Sequence, residues 1–536
     1  MLARVKSGAL RGVDDYLVEV EVDLSPGDSK VFTVGLPEIA VRESKDRVRA
    51  ALRNSGYKFP RGRITINLAP ADVRKEGTGF DLPVAVGLLA AQGVVPPESL
   101  ENYLIFGELS LDGRLRPTRG VLSMALATRD AKLALILPQE NAREAGVVQG
   151  VDVYAADTLA QVVEFLAGRE SLTPMAPPEP EALTWDPAED LDFREVKGQE
   201  PVKRALLIAA AGSHNVLMVG PPGAGKTMLA RRLPSILPPL GFEEALETSK
   251  VYSILGLLPR DKALVTTRPF RSPHHTISDA GLIGGGPNPR PGEVSLAHYG
   301  VLFLDELPEF KRSTLEVLRQ PLEEGRVTIS RAATSLTYPA RFMLVAAMNP
   351  CPCGYYGDPR RACACTPRQI NQYRGRISGP LLDRIDIQIQ VPGVRFQELA
   401  ATEGGDGSEK LRQRVETAKG VQARRFVKSR IYANAHMTSR LVKQHCPLGP
   451  DAQKLLEAAM ERLGLSARAY HRILKIARTI ADLEGEANVA PAHVAEAIQY
   501  RTLDRQFSSE KGAMFVKEVS QQYFAKMETD TFFIKK

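Results

Sequence analysis

The feature that most constrains the fold is a glycine-rich loop between a short apolar run and a stretch of helix-forming residues. The run Val216–Val219 before the loop predicts a buried strand, and Met228–Arg232 after it predicts a helix. A strand, a glycine loop and a helix in this order are the context that a phosphate-binding loop requires. The alternative is a glycine turn that matches the pattern by chance. The loop consists of Gly220, Pro221, Pro222, Gly223, Ala224, Gly225, Lys226 and Thr227.

Each part of this loop has a predicted role toward a nucleoside triphosphate. The glycines let backbone N–H groups turn toward phosphate oxygens, and the N-terminus of the following helix adds partial positive charge. Lys226 is expected to reach the β- and γ-phosphates, and the Thr227 hydroxyl to bind Mg²⁺. The sequence therefore predicts a protein that binds a nucleoside triphosphate with Mg²⁺.

Carboxylates follow a second apolar run downstream. Val301–Leu304 reads as a strand buried on both faces, and it ends in Asp305 and Glu306. Ligands bind at the carboxyl ends of strands in parallel sheets, so we expect Asp305 to hold Mg²⁺ and Glu306 to polarise the attacking water. The alternative is a strand followed by a solvated acidic turn.

Length and composition set broader limits. A chain of 536 residues exceeds what one core usually supports, so more than one domain is expected. The net charge of +7 fits an acidic partner such as nucleic acid, although many basic proteins bind none. Five cysteines make no disulfide framework, and neither a membrane-spanning apolar run nor a signal peptide stands out, so a reducing cytoplasm is expected.

Two polar residues resemble parts of AAA+ ATPases. Asn349, at the end of the apolar run Phe342–Met348, resembles the sensor that orients the attacking water and reads the γ-phosphate. Its alternative is a turn residue before Pro350. Arg384, within Gly379–Asp386, resembles the arginine finger, which acts in the next subunit and so implies a homo-oligomer, a hexameric ring. Its alternative is local pairing with one of the two flanking aspartates.

The second half also contains a helix that resembles the AAA+ lid. It opens at Leu463–Arg472 and continues through apolar positions. In this resemblance Arg468 is the second sensor touching the γ-phosphate, and Arg472 is the runner-up. A solvated basic helix face is the alternative.

Residues 62–141 resemble the proteolytic domain of Lon, which has a ribosomal S5-type fold. The matching segments are Lys75–Asp81 and Gly107–Leu115. Lon-type proteases need a serine nucleophile and a lysine base, but Gly79 stands where the serine belongs and Leu122 where the lysine belongs. We therefore expect this fold without proteolysis, as a docking or nucleic-acid-binding platform.

Taken together, nearly the whole chain resembles the ComM/YifB family of magnesium-chelatase-like AAA+ ATPases. The most specific segments are Phe270–Ser278, Pro291–His298 and Ser466–Asp482. The resemblance implies a hexameric, ATP-driven DNA helicase that moves branched joints in recombination during natural transformation. The competing class is a protein-remodelling or chelatase-like AAA+ ATPase that acts on a protein partner.

The expected fold class is α/β with three parts. These are a Lon-protease-like, S5-like α+β domain without the catalytic dyad (1–168), an AAA+ P-loop core (191–395) and a C-terminal helical lid (396–510). A Pro- and acid-rich linker is predicted at 169–190, and a tail at 511–536.

Two segments point to DNA contacts. Period-two character around a small-residue turn predicts a β-hairpin at Arg326–Thr337, where related helicases carry a DNA-gripping hairpin. Arg331 at its tip is the predicted phosphate contact, and a solubilising surface arginine is the alternative. Gly281–Asn288 resembles a mobile pore insert, or else is a surface loop. His274 and His275 are interpreted as polar loop residues beside the nucleotide or pore rather than as metal ligands.

Four of the five cysteines lie within fifteen residues. Cys351, Cys353, Cys363 and Cys365 form two C-x-C pairs around a Gly- and Pro-containing reversal. Four thiolates suit tetrahedral Zn²⁺, which predicts a structural zinc site. The short gap and the C-x-C spacing leave free thiols or a redox pair as alternatives.

Overall fold

The computed structural model describes residues 1–72, 75, 77–176, 191–259, 262–286, 289–331, 334–393, 405–429 and 431–501. At positions 39, 40, 42, 331 and 334 it describes the backbone alone. The tail predicted at 511–536 lies outside these residues. Residues 167–176 hold no helix or strand, and 177–190 are not among the described residues, so the linker at 169–190 stays a prediction.

The first part of the chain folds around a mixed sheet that has seven strands among the described residues, in the order β3-β4-β2-β1-β5-β8-β9. Strands β1, β2 and β4 are antiparallel neighbours, whereas β5, β8 and β9 run parallel to β1. The strands are β1 (Leu2–Arg11), β2 (Asp14–Ser25), β3 (Val31–Val34), β4 (Arg63–Ala69), β5 (Tyr103–Ile105), β8 (Ala134–Pro138) and β9 (Val153–Ala156), with a short ribbon of β6 (Glu108–Leu109) and β7 (Leu115–Arg116). The helices are α1 (Ile39–Asn54), α2 (Asp81–Ala91), α3 (Val121–Asp130), α4 (Ala142–Gly146) and α5 (Leu159–Leu166).

Alternation along β2 explains the core of this part. Val18, Val20 and Val22 are buried, and the residues between them face outward. Helix α2 packs on that face with every residue buried. Its Gly87 allows the close approach, because a Cβ there would lie 2.8 Å from Val22 Cγ2.

The position of the missing protease dyad is filled with apolar side chains. A Cβ on Gly79 would lie 2.2 Å from the Phe106 ring, and Leu122 is fully buried in α3. A serine hydroxyl has no room at Gly79, and Leu122 has no group that accepts a proton. The Lon-like fold is therefore present with a packed core where a Lon protease has its nucleophile.

The second part is an α/β unit around a sheet of five parallel strands, counted over the described residues, in the order β11-β14-β17-β10-β18. Its strands are β10 (Val216–Val219), β11 (Phe270–Arg271), β14 (Val301–Leu304), β17 (Met343–Met348) and β18 (Ile387–Gln390). Two antiparallel ribbons accompany it: β12 (Gly284–Gly285) with β13 (Arg290–Pro291), and β15 (Arg326–Arg331) with β16 (Thr334–Pro339). Its helices are α6 (Glu200–Gly212), α7 (Lys226–Ile236), α8 (Phe242–Leu255), α9 (Asp279–Ile283), α10 (Glu293–Leu296), α11 (Arg312–Glu316), α12 (Arg319–Glu324), α13 (Pro367–Arg374) and α14 (Gly379–Leu382).

The third part is helical and packs on the second. Its helices are α15 (Ser408–Phe426), α16 (Ser439–His445), α17 (Pro450–Leu463), α18 (Ala467–Glu484) and α19 (Pro491–Gln499). One apolar core runs from β10 and α7 into these helices. A buried ion pair between Arg425 and Asp482 joins α15 to α18, with Nη2 2.5 Å from Oδ1. The expected fold class is thus confirmed: an S5-like α+β part, a P-loop α/β part and a helical part.

Over the described residues, contacts between the first and second parts include one at α8 and one at the hairpin of β15 and β16. At α8, the Gly120 amide donates to Ser253 O at 3.2 Å, and the Ser253 hydroxyl donates to Glu144. At the turn between β1 and β2, a Cβ on Gly12 would lie 3.7 Å from both Leu336 and Tyr338 of the β15–β16 hairpin. The N-terminal part therefore contacts the same hairpin that the sequence predicts to contact DNA.

Among the described helices, none has the length and apolar character that a membrane span requires.

Candidate nucleotide site

The glycine loop connects β10 to α7, as the sequence predicts. Gly223 and Gly225 have φ values of 74° and 82°, in the left-handed region that glycine adopts without strain. Gly220 is needed for a different reason, since a Cβ there would lie 2.2 Å from Val391 O just after β18. The tight packing of Gly220 and the left-handed glycines fix the loop at the N-terminus of α7.

Lys226 lies inside the loop and is half-buried. Its ammonium donates to Gly220 O at 2.7 Å, to Pro221 O at 3.0 Å and to Asn349 Oδ1 at 3.1 Å. Burial lowers its pKa, against the opposing effect of Asp305 and the adjacent glutamate. All three ammonium protons have acceptors, so the side chain is held at the mouth of the loop without a ligand.

The carboxylates after β14 meet the loop although β17 lies between β14 and β10 in the sheet. The Thr227 hydroxyl donates to Asp305 Oδ2 at 2.6 Å, and the Glu306 amide donates to Asp305 Oδ1 at 2.9 Å. Glu306 itself has a φ of 52°, a left-handed conformation that is uncommon for a residue other than glycine. Its side chain is 57% exposed and lies 3.6 Å from His275 Nδ1. His275 therefore lies beside the predicted water-activating group, on the nucleotide side of the two positions that the sequence predicts for it.

Asn349 completes the arrangement from the end of β17. Strands β10, β14 and β17 are parallel neighbours, so their carboxyl ends lie at one edge of the sheet. A cavity of about 460 Å³ opens there. It is lined by Pro222, Gly223, Ala224, Gly225, Lys226, Thr227, Met228, Asp305, Glu306, Met348 and Asn349.

The residues around this cavity fit a magnesium-bound triphosphate. The left-handed glycines let the loop turn, Lys226 supplies positive charge, and Thr227 with Asp305 supplies the oxygen ligands that Mg²⁺ prefers. Glu306 remains exposed beside them. The arrangement can bind phosphates, hold a hard cation and place a carboxylate beside a water molecule.

Arg384 lies at the other end of the same sheet. In the register of the parallel pair, Val216 is opposite Ile387 and Val219 is opposite Gln390. Arg384 comes before Ile387, whereas the glycine loop follows Val219, so the two are separated by at least the length of β10, roughly 13 Å. Arg384 is buried, donates to Pro380 O at 2.6 Å and pairs with Glu323. The expected alternative, pairing with a flanking aspartate, is replaced by this pair to α12.

The two candidate lid arginines differ in their surroundings. Arg468 is 65% exposed and lies 3.6 Å from Asp383 Oδ2. Arg472 pairs with the buried Asp386. Burial raises the pKa of Asp386, but Arg472 and His214 outweigh it and hold the pKa below its usual range. Arg472 is thus committed to a structural pair, which leaves Arg468 as the candidate with a free approach to a neighbouring molecule.

The predicted hairpin is present as β15 and β16. One face packs inward through Val327, Ile329, Leu336 and Tyr338. The other face carries paired hydroxyls, Thr328 with Thr337 and Ser330 with Ser335, each pair 3.1 Å apart between oxygens. The side chain of Arg331 and both tip residues lie outside the described part of the chain. The glycine-rich segment also differs from a plain loop, since Gly281 belongs to α9 and Gly284 and Gly285 form β12. Residues 287 and 288 of this segment lie outside the described part of the chain.

Sequence comparison decides the family. Three family models cover most of the chain: "Magnesium chelatase, subunit ChlI" at residues 192–399, "Subunit ChlI of Mg-chelatase" at 20–141, and "Magnesium chelatase, subunit ChlI C-terminal" at 405–501. Competence protein ComM of Haemophilus influenzae is 47% identical over 510 residues, which are 94% of this chain and 98% of that protein. The chain belongs to the ComM/YifB family. Its resemblance to this family is thereby confirmed.

Other relatives place ComM/YifB proteins among magnesium-chelatase-like AAA+ proteins. The uncharacterized protein YifB of Salmonella typhimurium is 46% identical over 510 residues, covering 94% of this chain and 98% of YifB. The magnesium-chelatase 38 kDa subunit of Rhodobacter capsulatus is 29% identical over 177 residues, which are 30% of this chain and 50% of that subunit. Membership of this AAA+ group implies a nucleotide and Mg²⁺, in keeping with the donors around the cavity.

Three contacts, in the site and at the opposite end of its sheet, do not follow from the sequence. The partner of Arg384, Glu323, is 61 positions away in the chain. The contact of His275 with Glu306 joins two loops, and Pro222 is packed against Gly354 of the cysteine segment. No periodicity or motif relates these pairs.

Proposed function

We propose that this ComM/YifB protein is an ATP hydrolase that works as a homo-oligomeric ring, a hexamer, and moves along DNA. The observation that carries the proposal is the convergence of Lys226, Asp305, Glu306 and Asn349 at the carboxyl edge of one parallel sheet. Each of these groups has a task in phosphoryl transfer to water. The finer activity proposed is unwinding or branch migration in DNA recombination.

Within one subunit the residues divide the work between binding and proton transfer. Lys226 gives up its carbonyl acceptors to bind phosphate oxygens, and Thr227 and Asp305 hold the magnesium ion. When bound, the ion neutralises charge on the phosphates. Glu306 accepts a proton from the attacking water, and Asn349 orients that water with its amide. His275, 3.6 Å from Glu306, positions the carboxylate.

The second half of the site comes from a neighbouring copy in this proposal. Arg384 lies at the opposite end of the sheet from the loop of its own chain, so it serves a phosphate held by another subunit. It must first leave Glu323, and a neighbour's triphosphate supplies the competing negative charge. Arg468, exposed near Asp383 on the same side, is the second cation offered to that neighbour.

DNA is the proposed track because of the hairpin and the relatives. The exposed face of β15 and β16 carries hydroxyls and no carboxylate, and hydroxyl groups commonly donate to phosphate oxygens. Arg331 at the hairpin end adds positive charge there. The relative with 47% identity is named for competence, the state in which cells take up DNA. These features together favour a nucleic-acid motor.

The test is ATP turnover and strand movement by the full-length protein. We expect forked or single-stranded DNA to stimulate phosphate release, the stimulation to weaken with salt, and labelled three-way joints to migrate only with ATP. Lys226→Ala should abolish both activities, whereas Lys454→Ala, on an exposed helix surface, should retain them. ATPase that ignores DNA at low salt would contradict the DNA assignment.

A second candidate follows from the family models. All three bear the name of a magnesium-chelatase subunit, which favours an AAA+ machine that remodels a protein partner. The same measurement of ATP turnover distinguishes a DNA motor from a machine that remodels a protein. Turnover stimulated by a captured protein partner and indifferent to DNA would support this second function.

A further inference from the structure

The segment between β17 and α13 is irregular and largely exposed. Residues 350–366 contain no helix or strand, and only Pro350, Cys351 and Gly354 among them are buried. A loop of this length is expensive to order by packing so few side chains. Something other than an apolar core must fix its conformation.

The four cysteines of this segment come together in space. Their sulfur atoms all lie within 4.8 Å of one another. The Sγ–Sγ distance is 3.3 Å for Cys351 and Cys353, 3.5 Å for Cys353 and Cys363, and 3.6 Å for Cys351 and Cys363. A disulfide needs about 2.05 Å, and all four cysteines are free. Tetrahedral Zn²⁺ with Zn–S bonds of about 2.3 Å would place its sulfurs about 3.8 Å apart, close to the observed spacing.

Backbone N–H groups point at these sulfurs. Tyr356 donates to Cys351 Sγ at 3.3 Å, Cys353 to Cys365 Sγ at 3.4 Å and Cys365 to Cys363 Sγ at 3.4 Å. Donors of this kind stabilise thiolates, which are the form that binds metal. Four thiolates this close repel one another unless a cation lies between them.

The cysteine segment also touches the nucleotide site. It begins two residues after Asn349, and the Arg374 guanidinium donates to the intervening Pro350 O at 3.0 Å. Gly354, with a φ of 86°, packs so closely on the glycine loop that a Cβ there would lie 2.5 Å from Pro222 Cδ. The segment therefore packs on Pro222 and is joined to Asn349 through Pro350.

We propose that Cys351, Cys353, Cys363 and Cys365 bind one zinc ion, and that this zinc-closed loop holds Asn349 and the glycine loop in their nucleotide-binding positions. Soft thiolate ligands in a tetrahedral set select zinc over Mg²⁺, so this ion is distinct from the one at Asp305. The metal has no open coordination position and does no chemistry on the nucleotide. Its role is to replace the apolar core that the segment lacks.

Metal analysis of the full-length protein tests the site without nucleotide or DNA, so its result is independent of the motor proposal. We expect one zinc per chain, lost in Cys363→Ala and kept in Cys446→Ala, whose cysteine lies in the helical core away from the cluster. Replacing zinc by Co²⁺ should give the intense visible absorption of a tetrahedral thiolate site. A metal-free wild-type protein with five reactive thiols, or one with stoichiometric iron, would overturn the assignment.

A matched pair of glycine variants tests whether the cysteine segment affects nucleotide binding. Gly354→Ala strains the left-handed backbone and displaces Pro222, whereas Gly357→Ala strains a similar backbone, with a φ of 80°, and has nothing within 4 Å. We expect both to retain zinc. Gly354→Ala alone should weaken binding of a fluorescent ADP analogue with Mg²⁺ by roughly fivefold or more. Equal affinities in the two variants, or zinc loss from Gly354→Ala, would overturn the coupling.

Discussion

The ammonium of Lys226 donates a 3.1 Å hydrogen bond to the side-chain oxygen of Asn349, across two neighbouring strands. This contact joins the phosphate-binding loop after β10 to the residue that follows β17. A triphosphate that draws Lys226 toward its own oxygens releases the Asn349 amide. The pair thus offers a direct way for nucleotide binding to free the group that orients water.

The first prediction concerns proton transfer to Glu306. Glu306→Gln keeps the shape of the side chain but removes the basic oxygen, so ATP should stay bound while turnover falls by about 100-fold or more. Parallel measurements of nucleotide binding and phosphate release separate the two effects. A variant that hydrolyses ATP at the normal rate would show that another group activates the water.

The second prediction concerns the arginine supplied between copies. Arg384→Ala should still bind ATP, but its rate of ATP hydrolysis should fall by about 10³-fold, as expected when an arginine finger is lost. Mixed with Glu306→Gln, it should recover part of the activity, because some interfaces then pair an intact Glu306 with an intact Arg384. A mixture no more active than either variant alone would argue against action in a neighbouring copy.

The third prediction concerns the hairpin. Arg331 belongs to the hairpin strand β15, whereas the nucleotide residues follow β10, β14 and β17. Arg331→Ala should therefore leave basal ATPase intact and abolish unwinding of forked DNA. The comparison is between phosphate release without DNA and strand separation with it. Equal loss of both activities would remove the proposed phosphate contact and indicate a structural role.

The fourth prediction concerns pH and His298. This side chain is fully buried, and burial lowers the pKa of its imidazole despite Glu247, whose carboxylate oxygen lies 3.4 Å from Nε2. Its Nδ1 accepts from the Arg341 amide at 3.0 Å, which requires the unprotonated nitrogen. Below the unfolded pKa of about 6.5 the unfolded chain therefore binds a proton that the folded chain does not, and stability falls as the pH falls.

Urea unfolding at pH 7.5 and 5.5 measures that effect. One group of this kind contributes at most about 1.4 kcal/mol per pH unit. His298→Asn keeps an acceptor for the Arg341 amide but cannot take the proton, so its stability should depend less on pH over this interval. An unchanged slope in the variant would assign the pH dependence to other groups.

Much of the nucleotide site can be predicted from local sequence, because each of three apolar strands is followed by residues that bind phosphate, Mg²⁺ or the attacking water. Parallel strands place Lys226, Asp305 and Asn349 at one edge, and their order in the chain is enough to predict this. The partner of Arg384 was out of reach, since Glu323 is brought near by packing of α12 rather than by any repeat. The same holds for Gly354 against Pro222, a contact fixed by the path of an irregular loop.

In the first part of the chain, too, some features could be predicted from the sequence and others could not. The alternation of Val18, Val20 and Val22 predicts the strand and its buried face. The resemblance to Lon predicts that Gly79 and Leu122 replace the protease dyad. It does not predict that the Phe106 ring occupies the space beside Gly79. Nor does any sequence signal place the β1–β2 turn against Leu336, because that contact depends on how two folded units dock.

The placement of the glycine loop and Arg384 at opposite ends of one sheet has a genetic consequence. Each copy would contribute to two different sites, so one copy that lacks both Glu306 and Arg384 would inactivate its own site and that of the copy beside it. A cell that makes normal chains together with chains carrying both Glu306→Gln and Arg384→Ala should lose more activity than the altered fraction alone accounts for. Such an allele would behave as dominant, although the protein it encodes folds normally.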